Sequence, residues 1–280
     1  MAGKLYLVPT PIGNLKDITL RALEVLQNVD LIAAEDTRQS LKLLNHFNIK
    51  KTLISYHMHN EQSKSENIIY QLKEGKNIAI ISDAGSPGIS DPGSVIVSKC
   101  IEQNIEFVVL PGATAITTAL VYSGLDTTKF IFRGFLPREN KERKPIIDDL
   151  LDRSETLIFY EAPHRLLNTL EFLYENVGNR KISMCRELTK LYEEIIRLTL
   201  EEAIEYYKKN SPRGEYVLVI EGKSKEAIDK DEKAKWDMLT IQEHIQKYMD
   251  EGINKKDAIK KVAKDRHMPK TEIYKHSLNI

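Results

Sequence analysis

Residues 77–93 read NIAIISDAGSPGISDPG: the mostly apolar run NIAII (77–81) is followed at once by SDAGSPGISDPG (82–93), which holds three glycines, two prolines, three serines and two aspartates. A turn between two elements needs one glycine or one proline, so the excess calls for a second purpose. Similar runs occur at KLYLV (4–8), DLIAA (30–34) and EFVVL (106–110), with helix-like segments between them. They are too continuous for half-exposed strands and read as buried parallel strands joined by crossover helices. Each run leads straight into a special loop: PTPIGN, EDTR, SDAGSPGISDPG or PGATA. A parallel sheet sets all such loops along its carboxyl edge, which is where open sheets of this kind bind ligands. The glycines then serve close approach of backbone to a ligand. Asp91 before Pro92 reads as a helix N-cap and first helical residue, opening SVIVSKCIEQ (94–103).

A second group of runs follows: KFIFRGF (129–135), TLIFY (156–160), KISMC (181–185), EEIIRLTL (193–200) and GEYVLVI (214–220). Alternation is stronger here and helical segments are fewer, which predicts a mixed sheet. The spacing predicts a first α/β domain over 1–124 and a second over 125–222, with the boundary near YSGLDTTK (122–129). The charge-rich stretch 221–236 reads as a linker, and 237–280 as a helical appendage resembling a helix-turn-helix, with Asn254 capping KKDAIKKVAKDR.

The chain has 280 residues, 41% of them hydrophobic, which is enough for two packed domains. Lys plus Arg equals Asp plus Glu at 41 each, so no global positive field draws it to nucleic acid and any such attraction is local. The two cysteines, Cys100 and Cys185, stand far apart, against both a zinc ribbon and a disulfide scaffold; a reducing cytoplasm fits. No run is long enough for a membrane span, and MAGKLYLVPTPIGN reads as no secretion signal. No G-x-G-x-x-G, P-loop or G-x-S-x-G motif is present, and HMH (57–59) has no third or fourth ligand at usable spacing, so no metal is expected.

In order along the chain, LYLVPTPIGNLKDITLRAL, AEDTR, SDAGSPGISDPG, PGATA, GFLPR, YEAPHR, CRELTKLYEE and RGEYVLVI resemble the tetrapyrrole-methylase superfamily. More narrowly they resemble the bacterial ribosomal RNA small subunit methyltransferase I family, the cytidine 2′-O-ribose methyltransferases. The resemblance implies two α/β domains of tetrapyrrole-methylase type with the small helical appendage behind them. It also implies a homodimer, S-adenosylmethionine held bent in the cleft, and a decoding-region cytidine of 16S rRNA in the small ribosomal subunit as substrate. Carried over motif by motif, the cofactor positions are Pro11, Ser82, Asp83, Ser86, Thr114, Ala115, Glu161 and Leu188. One departure stands out: ISDAGSPG occupies the place where tetrapyrrole methylases usually carry Gly-Gly-Asp-Pro.

Methyl transfer to a ribose hydroxyl needs alignment of the reacting atoms and a group to take one proton. Lys190 and Glu187 are the leading candidates, on the loop expected to face the cofactor, followed by Glu35, Asp36 and His164. Plainer roles stand beside these. Asp36 and Arg38 can form a strand-end ion pair, His164 can decorate a helix start, Asp91 reads as a cap, and Arg213 to Glu215 read as a turn. RNA contacts are expected from Arg38 and from an exposed segment carrying Arg138, Lys141, Arg143 and Lys144; the stretch from 252 adds eight basic residues against three acidic ones. Two rival functions remain open on these residues, a small-molecule tetrapyrrole methyltransferase and a noncatalytic RNA-binding or ribosome-assembly protein.

Overall fold

The computed structural model of the chain describes residues 2–224, 226–228, 230, 236 and 238–277. The first group of apolar runs forms β1 (Leu5–Leu7), β2 (Leu31–Ala34), β4 (Ile78–Ile81) and β5 (Phe107–Val109), as the sequence predicts, and a further strand, β3 (Thr52–Ser55), joins them. They lie in the order β3-β2-β4-β1-β5, all parallel. β3 escaped the sequence reading because it is an edge strand whose residues stay partly exposed, so TLIS carries no continuous apolar run.

Alternate residues of these strands feed two cores. Leu5, Leu7, Leu31, Ala33, Ile78 and Ile80 pack under α3 (Glu61–Lys73) and α4 (Ser94–Glu102). Ile32, Ala34, Ala79 and Ile81 pack on the other face under α1 (Leu20–Asn28) and α2 (Thr37–His46). Both faces are thus covered, which is why the strands read as uninterrupted apolar runs.

The second sheet contains β6 (Phe130–Phe135), β7 (Thr156–Glu161), β8 (Lys181–Arg186), β9 (Glu194–Thr199) and β10 (Tyr216–Ile220), in the order β6-β7-β10-β8-β9. β6 and β7 are parallel and the remaining pairs antiparallel, so the sheet is mixed, as expected. Its core takes in α5 (Ala115–Ser123), whose Ile116, Ala119 and Leu120 pack with Ile158, Cys185, Val217 and Val219. The helix that follows PGATA therefore belongs by packing to the second sheet. Behind it come α6 (Asn140–Asp148), α7 (Leu166–Val177) and α8 (Leu200–Lys209), the last closed by a capping box between Thr199 and Glu202.

The chain divides into two compact units, one made of residues up to Arg143 with Thr156–Glu221, the other of Lys144–Glu155 with Gly222 onward. Both sheets lie in the larger unit. The smaller carries α9 (Ile241–Asp250), α10 (Lys255–Asp265) and α11 (Lys270–His276), packed around Ile245, Ile259, Val262 and Ile273. Asn254 caps α10 as expected, accepting from the Asp257 amide. Part of the expected linker lies outside the described residues; those described at 226–228, 230 and 236 are helical. Among the described residues no helix is long and apolar enough to cross a membrane.

Candidate functional site

The loops at the carboxyl edge of the first sheet meet loops of the second sheet around a cavity of about 340 Å³. The loop after β1 contributes Ile12, the end of β2 Glu35, the glycine-rich loop Asp83 to Ser86 and Ile89 to Asp91, and the start of α5 Thr114 and Ala115. From the second sheet come Phe135, Tyr160, Glu161, Cys185, Glu187, Leu188, Lys190, Glu215, Tyr216 and Val217, among others.

Backbone pairing holds the first-sheet side in shape. Thr10 and Gly85 exchange N–H···O=C bonds of 2.8 and 3.0 Å, tying the first loop to the glycine-rich loop. The Ser82 hydroxyl donates to the Gly85 carbonyl at 3.1 Å and is almost fully buried, so it shapes the turn. Pro11 is likewise buried and lies beside the cavity lining, where Ile12 takes the place expected of it. The Asp83 amide donates to Glu35 Oε2 (3.3 Å), and the Asp36 amide donates to Asp83 Oδ1 (3.0 Å). Burial pushes both the Glu35 and Asp83 carboxyls above their ordinary values. Asp91 is pushed up to about 7 by burial and by the neighbouring charges of Glu35 and Asp83.

On the second-sheet side the charges are paired. Lys190 Nζ donates to Glu187 Oε1 (3.1 Å) and to Glu215 Oε2 (2.9 Å), while the Glu215 amide donates to Glu187 Oε1 (2.9 Å). Burial works against charge on both Lys190 and Glu187, but the partners outweigh it, holding the ammonium above its ordinary value and the carboxyl below. Glu187 and Thr189 both sit at positive φ, 49° and 64°, in a loop tied to the first sheet where the Asn14 amide donates to Thr189 Oγ1 at 2.9 Å. Glu161 is buried; Thr169 Oγ1 (2.6 Å) and the Ala162 amide (2.9 Å) donate to it, and Arg165 lies 3.3 Å away.

Several expected roles change here. Lys190 is held protonated by two carboxylates and so makes a poor proton acceptor, and the Glu187 carboxylate is occupied by the same lysine. Asp36 caps α2, accepting from the Arg38 amide at 2.8 Å, and pairs with the Arg38 guanidinium at 3.1 Å; it lies outside the cavity lining, as does the exposed His164. Arg38 itself is almost fully exposed. Arg138 and Lys141 are exposed, and so is Lys144. Arg143 is a correction: it is 3% exposed, donates to the Pro137 carbonyl and to Asn168 Oδ1, and lies over the Phe172 ring, so it is a packing residue.

Asp91 is a second correction. The N-cap of α4 is Gly93, with no side-chain cap bond, and Asp91 lines the cavity. Of the expected cofactor residues, Asp83, Ser86, Thr114, Ala115, Glu161 and Leu188 line the cavity. Sequence reasoning assigned no site role to Ile12, Ile89, Phe135, Tyr160 or Cys185, since an ordinary apolar, aromatic or lone thiol side chain carries no such signal. Glu215 was read as part of a turn; its position beside RGEY was the available hint.

The sequence pattern of the Tetrapyrrole (Corrin/Porphyrin) Methylases matches residues 4–204. The chain is 51% identical over 272 residues to the ribosomal RNA small subunit methyltransferase I of Bacillus subtilis (strain 168), covering 97% of this chain and 93% of that one. It is 45% identical to the protein of the same name from Synechocystis sp. (strain ATCC 27184 / PCC 6803 / Kazusa), over 99% of this chain and 98% of that one. The Thermotoga maritima relative of that name is 47% identical and matched over 99% of its own length but only 79% of this chain. Among solved structures, the uroporphyrin-III-C-methyltransferase of Thermus thermophilus superposes with a TM-score of 0.55 at 21% identity, over 79% of this chain and 93% of that one, a likeness of fold. With the loops, the cavity and these matches together, the chain belongs to the tetrapyrrole (corrin/porphyrin) methylase family and, within it, to the ribosomal RNA small subunit methyltransferase I family.

Proposed function

We propose that this chain methylates 16S rRNA of the small ribosomal subunit, using S-adenosylmethionine, at the 2′-hydroxyl of a decoding-region cytidine, as a cytoplasmic homodimer. The observation that carries the reading is the cavity at the carboxyl edge of the parallel sheet, in a chain that matches relatives of that name over nearly its whole length. The lining suits such a cofactor. Its acidic side, with Glu35 and Asp83, favours a cationic ligand. The amino end of α5 lacks a side-chain cap and leaves N–H groups for a carboxylate. Ile12, Leu188 and Val217 supply apolar surface for a flat ring.

When bound, the cofactor supplies an electrophilic methyl group on a positively charged sulfur. The protein's task is to align the ribose oxygen, exclude water and take a proton. At the rim, Phe135 is 54% exposed and packs against Tyr160 with ring centroids 5.5 Å apart, offering a face on which an unstacked base can lie.

Transfer of labelled methyl to isolated small subunits, set against free 16S rRNA and porphyrinoid acceptors, tests the reading. Label in one ribose-methylated cytidine of the subunit is the expected result. Label in a porphyrinoid alone, or in no acceptor, overturns it.

A further inference from the structure

The segment from Gly88 to Gly93 is a closed turn. The Gly88 amide donates to the Pro92 carbonyl at 3.2 Å, and Gly88, Ser90 and Gly93 all take positive φ, 87°, 61° and 145°. A Cβ on Gly93 would stand 3.0 Å from the Gly88 nitrogen, so the pinch requires glycine. Ser90 is the telling member, because a serine in the left-handed region costs on the order of 1 kcal/mol and has to be held there by its surroundings. The result of that conformation is that Ile89, Ser90 and Asp91 all line the cavity.

Asp91 has no structural duty that accounts for its position. It caps no helix, since that place is taken by Gly93. Six carboxylates line the cavity, and the other five are engaged. Glu35 and Asp83 accept backbone amides, Glu161 accepts from Thr169 and Ala162, and Glu187 and Glu215 hold Lys190. Asp91 makes no hydrogen bond or ion pair among the described residues.

We propose that Asp91 is the catalytic proton acceptor, its carboxylate taking the proton of the ribose 2′-hydroxyl during methyl transfer. The assignment rests on the methyl-transfer reading above. The atoms balance: the ribose oxygen bonds the methyl carbon as the carbon–sulfur bond breaks, the electron pair stays on sulfur, and the hydroxyl proton moves to a carboxylate oxygen of Asp91 and then to water.

The surroundings suit the task. Burial raises the affinity of Asp91 for a proton, and Glu35 and Asp83 add to this from the first-sheet side, placing its pKa at about 7. From β7, Tyr160 is pushed up to about 12 by burial and by Asp91, so it stays neutral at working pH, while Glu161 is engaged with Arg165. Lys190, the cavity's cation, is committed to Glu187 and Glu215. A base whose pKa lies near the working pH is ionised often enough to accept a proton and strong enough to hold it.

The test compares wild type, Asp91→Asn and Asp91→Glu in single-turnover transfer to unmethylated small subunits from mildly acidic to mildly alkaline pH. Cofactor titration by calorimetry and carbon-13 NMR of labelled aspartate carboxyls in the cofactor-free protein accompany it. Asp91→Asn is expected to lose about 10²- to 10⁴-fold in rate with cofactor affinity kept, Asp91→Glu to recover part of the rate, and the wild-type rate to rise with pH to a plateau that the Asn variant lacks. One aspartate carboxyl should titrate near neutrality and vanish from the Asn variant. A wild-type rate and pH profile in Asp91→Asn, a loss of cofactor affinity matching the loss of rate, or no aspartate titrating above the ordinary carboxylate range would each overturn the assignment. Absence of transfer by the wild type overturns the methyl-transfer reading instead, and the NMR titration, which needs neither cofactor nor RNA, tells the two failures apart.

Discussion

Around the cavity, Lys190 lies between Glu187 and Glu215 on the second-sheet side, whereas Glu35, Asp83 and Asp91 gather on the first-sheet side with no cation among the lining residues there. Similar side chains thus do different work. A carboxylate shared with an ammonium is locked ionised over a wide pH range and serves to fix a loop, here one with Glu187 and Thr189 at positive φ. Carboxylates that crowd one another while half-buried cannot all stay charged, so the one without a donor becomes the group that titrates. Charge pairing, rather than residue type, separates scaffolding from chemistry in this cavity.

The largest effect should come from breaking the paired side at its backbone. Gly214 has φ of 74°, and a Cβ there would lie 2.6 Å from Glu187 Cγ, so Gly214→Ala displaces Glu187 and adds left-handed strain. A loss of about 1–3 kcal/mol is expected in chemical denaturation, with Lys190 freed to move. Unchanged stability would show that the ion-paired loop adapts without cost.

Lys190→Met removes the shared cation more gently, and a loss of about 1 kcal/mol is expected at neutral pH. Its pH dependence has a fixed sign. The depressed Glu187 carboxyl contributes stability above its unfolded pKa, lost as pH falls through the folded value. The raised Lys190 contributes below the unfolded lysine pKa, lost as pH rises through the folded one. Wild type and variant should therefore differ most between those limits and converge in strong acid and strong alkali. Denaturation midpoints across pH check this.

Asp91→Asn should give the opposite sign. A carboxyl raised to about 7 binds a proton more readily in the folded state, so the wild type loses stability as pH climbs from the ordinary aspartate range through that value. The variant escapes this cost and should be more stable by a few tenths to about 1 kcal/mol above neutrality after allowance for solvent screening, with no gain in acid. Melting curves on either side of neutrality decide the point.

Exposed charges extend the comparison to groups that water screens. Lys256, Lys264 and Lys270 are exposed, and exchanging all three for Gln should leave the melting temperature unchanged. If they meet rRNA phosphates, the slope of log affinity against log salt should fall by about 0.7–0.9 for each phosphate left without its lysine. An unaltered slope would send the search for RNA-binding groups to Arg138 and Lys141.

Much of this was legible in the amino-acid order. NIAII, KLYLV, DLIAA and EFVVL announce a sheet covered on both faces because burial on two sides removes polar alternation, and the special loops after them mark the binding edge because parallel strands end together there. β3 was hidden because half-exposed edge residues look like loop, and the start of α4 was misplaced because Asp-Pro resembles a cap while a pinch between Gly88 and Gly93 occupied its place. Arg143 read as solvent-facing in a basic run, yet it is buried among the Pro137 carbonyl and two residues distant in sequence, Asn168 and Phe172. The same holds for the cavity. That Asp91 and Lys190 would line it was at most implied by their loops; that Lys190 is pinned by Glu215 while Asp91 has no donor depends on segments far apart in the chain coming together. Sequence determines which groups are available and which strands carry them, because propensity and periodicity are local. Tertiary structure alone decides which charges meet, and a proton affinity is set by what a group meets.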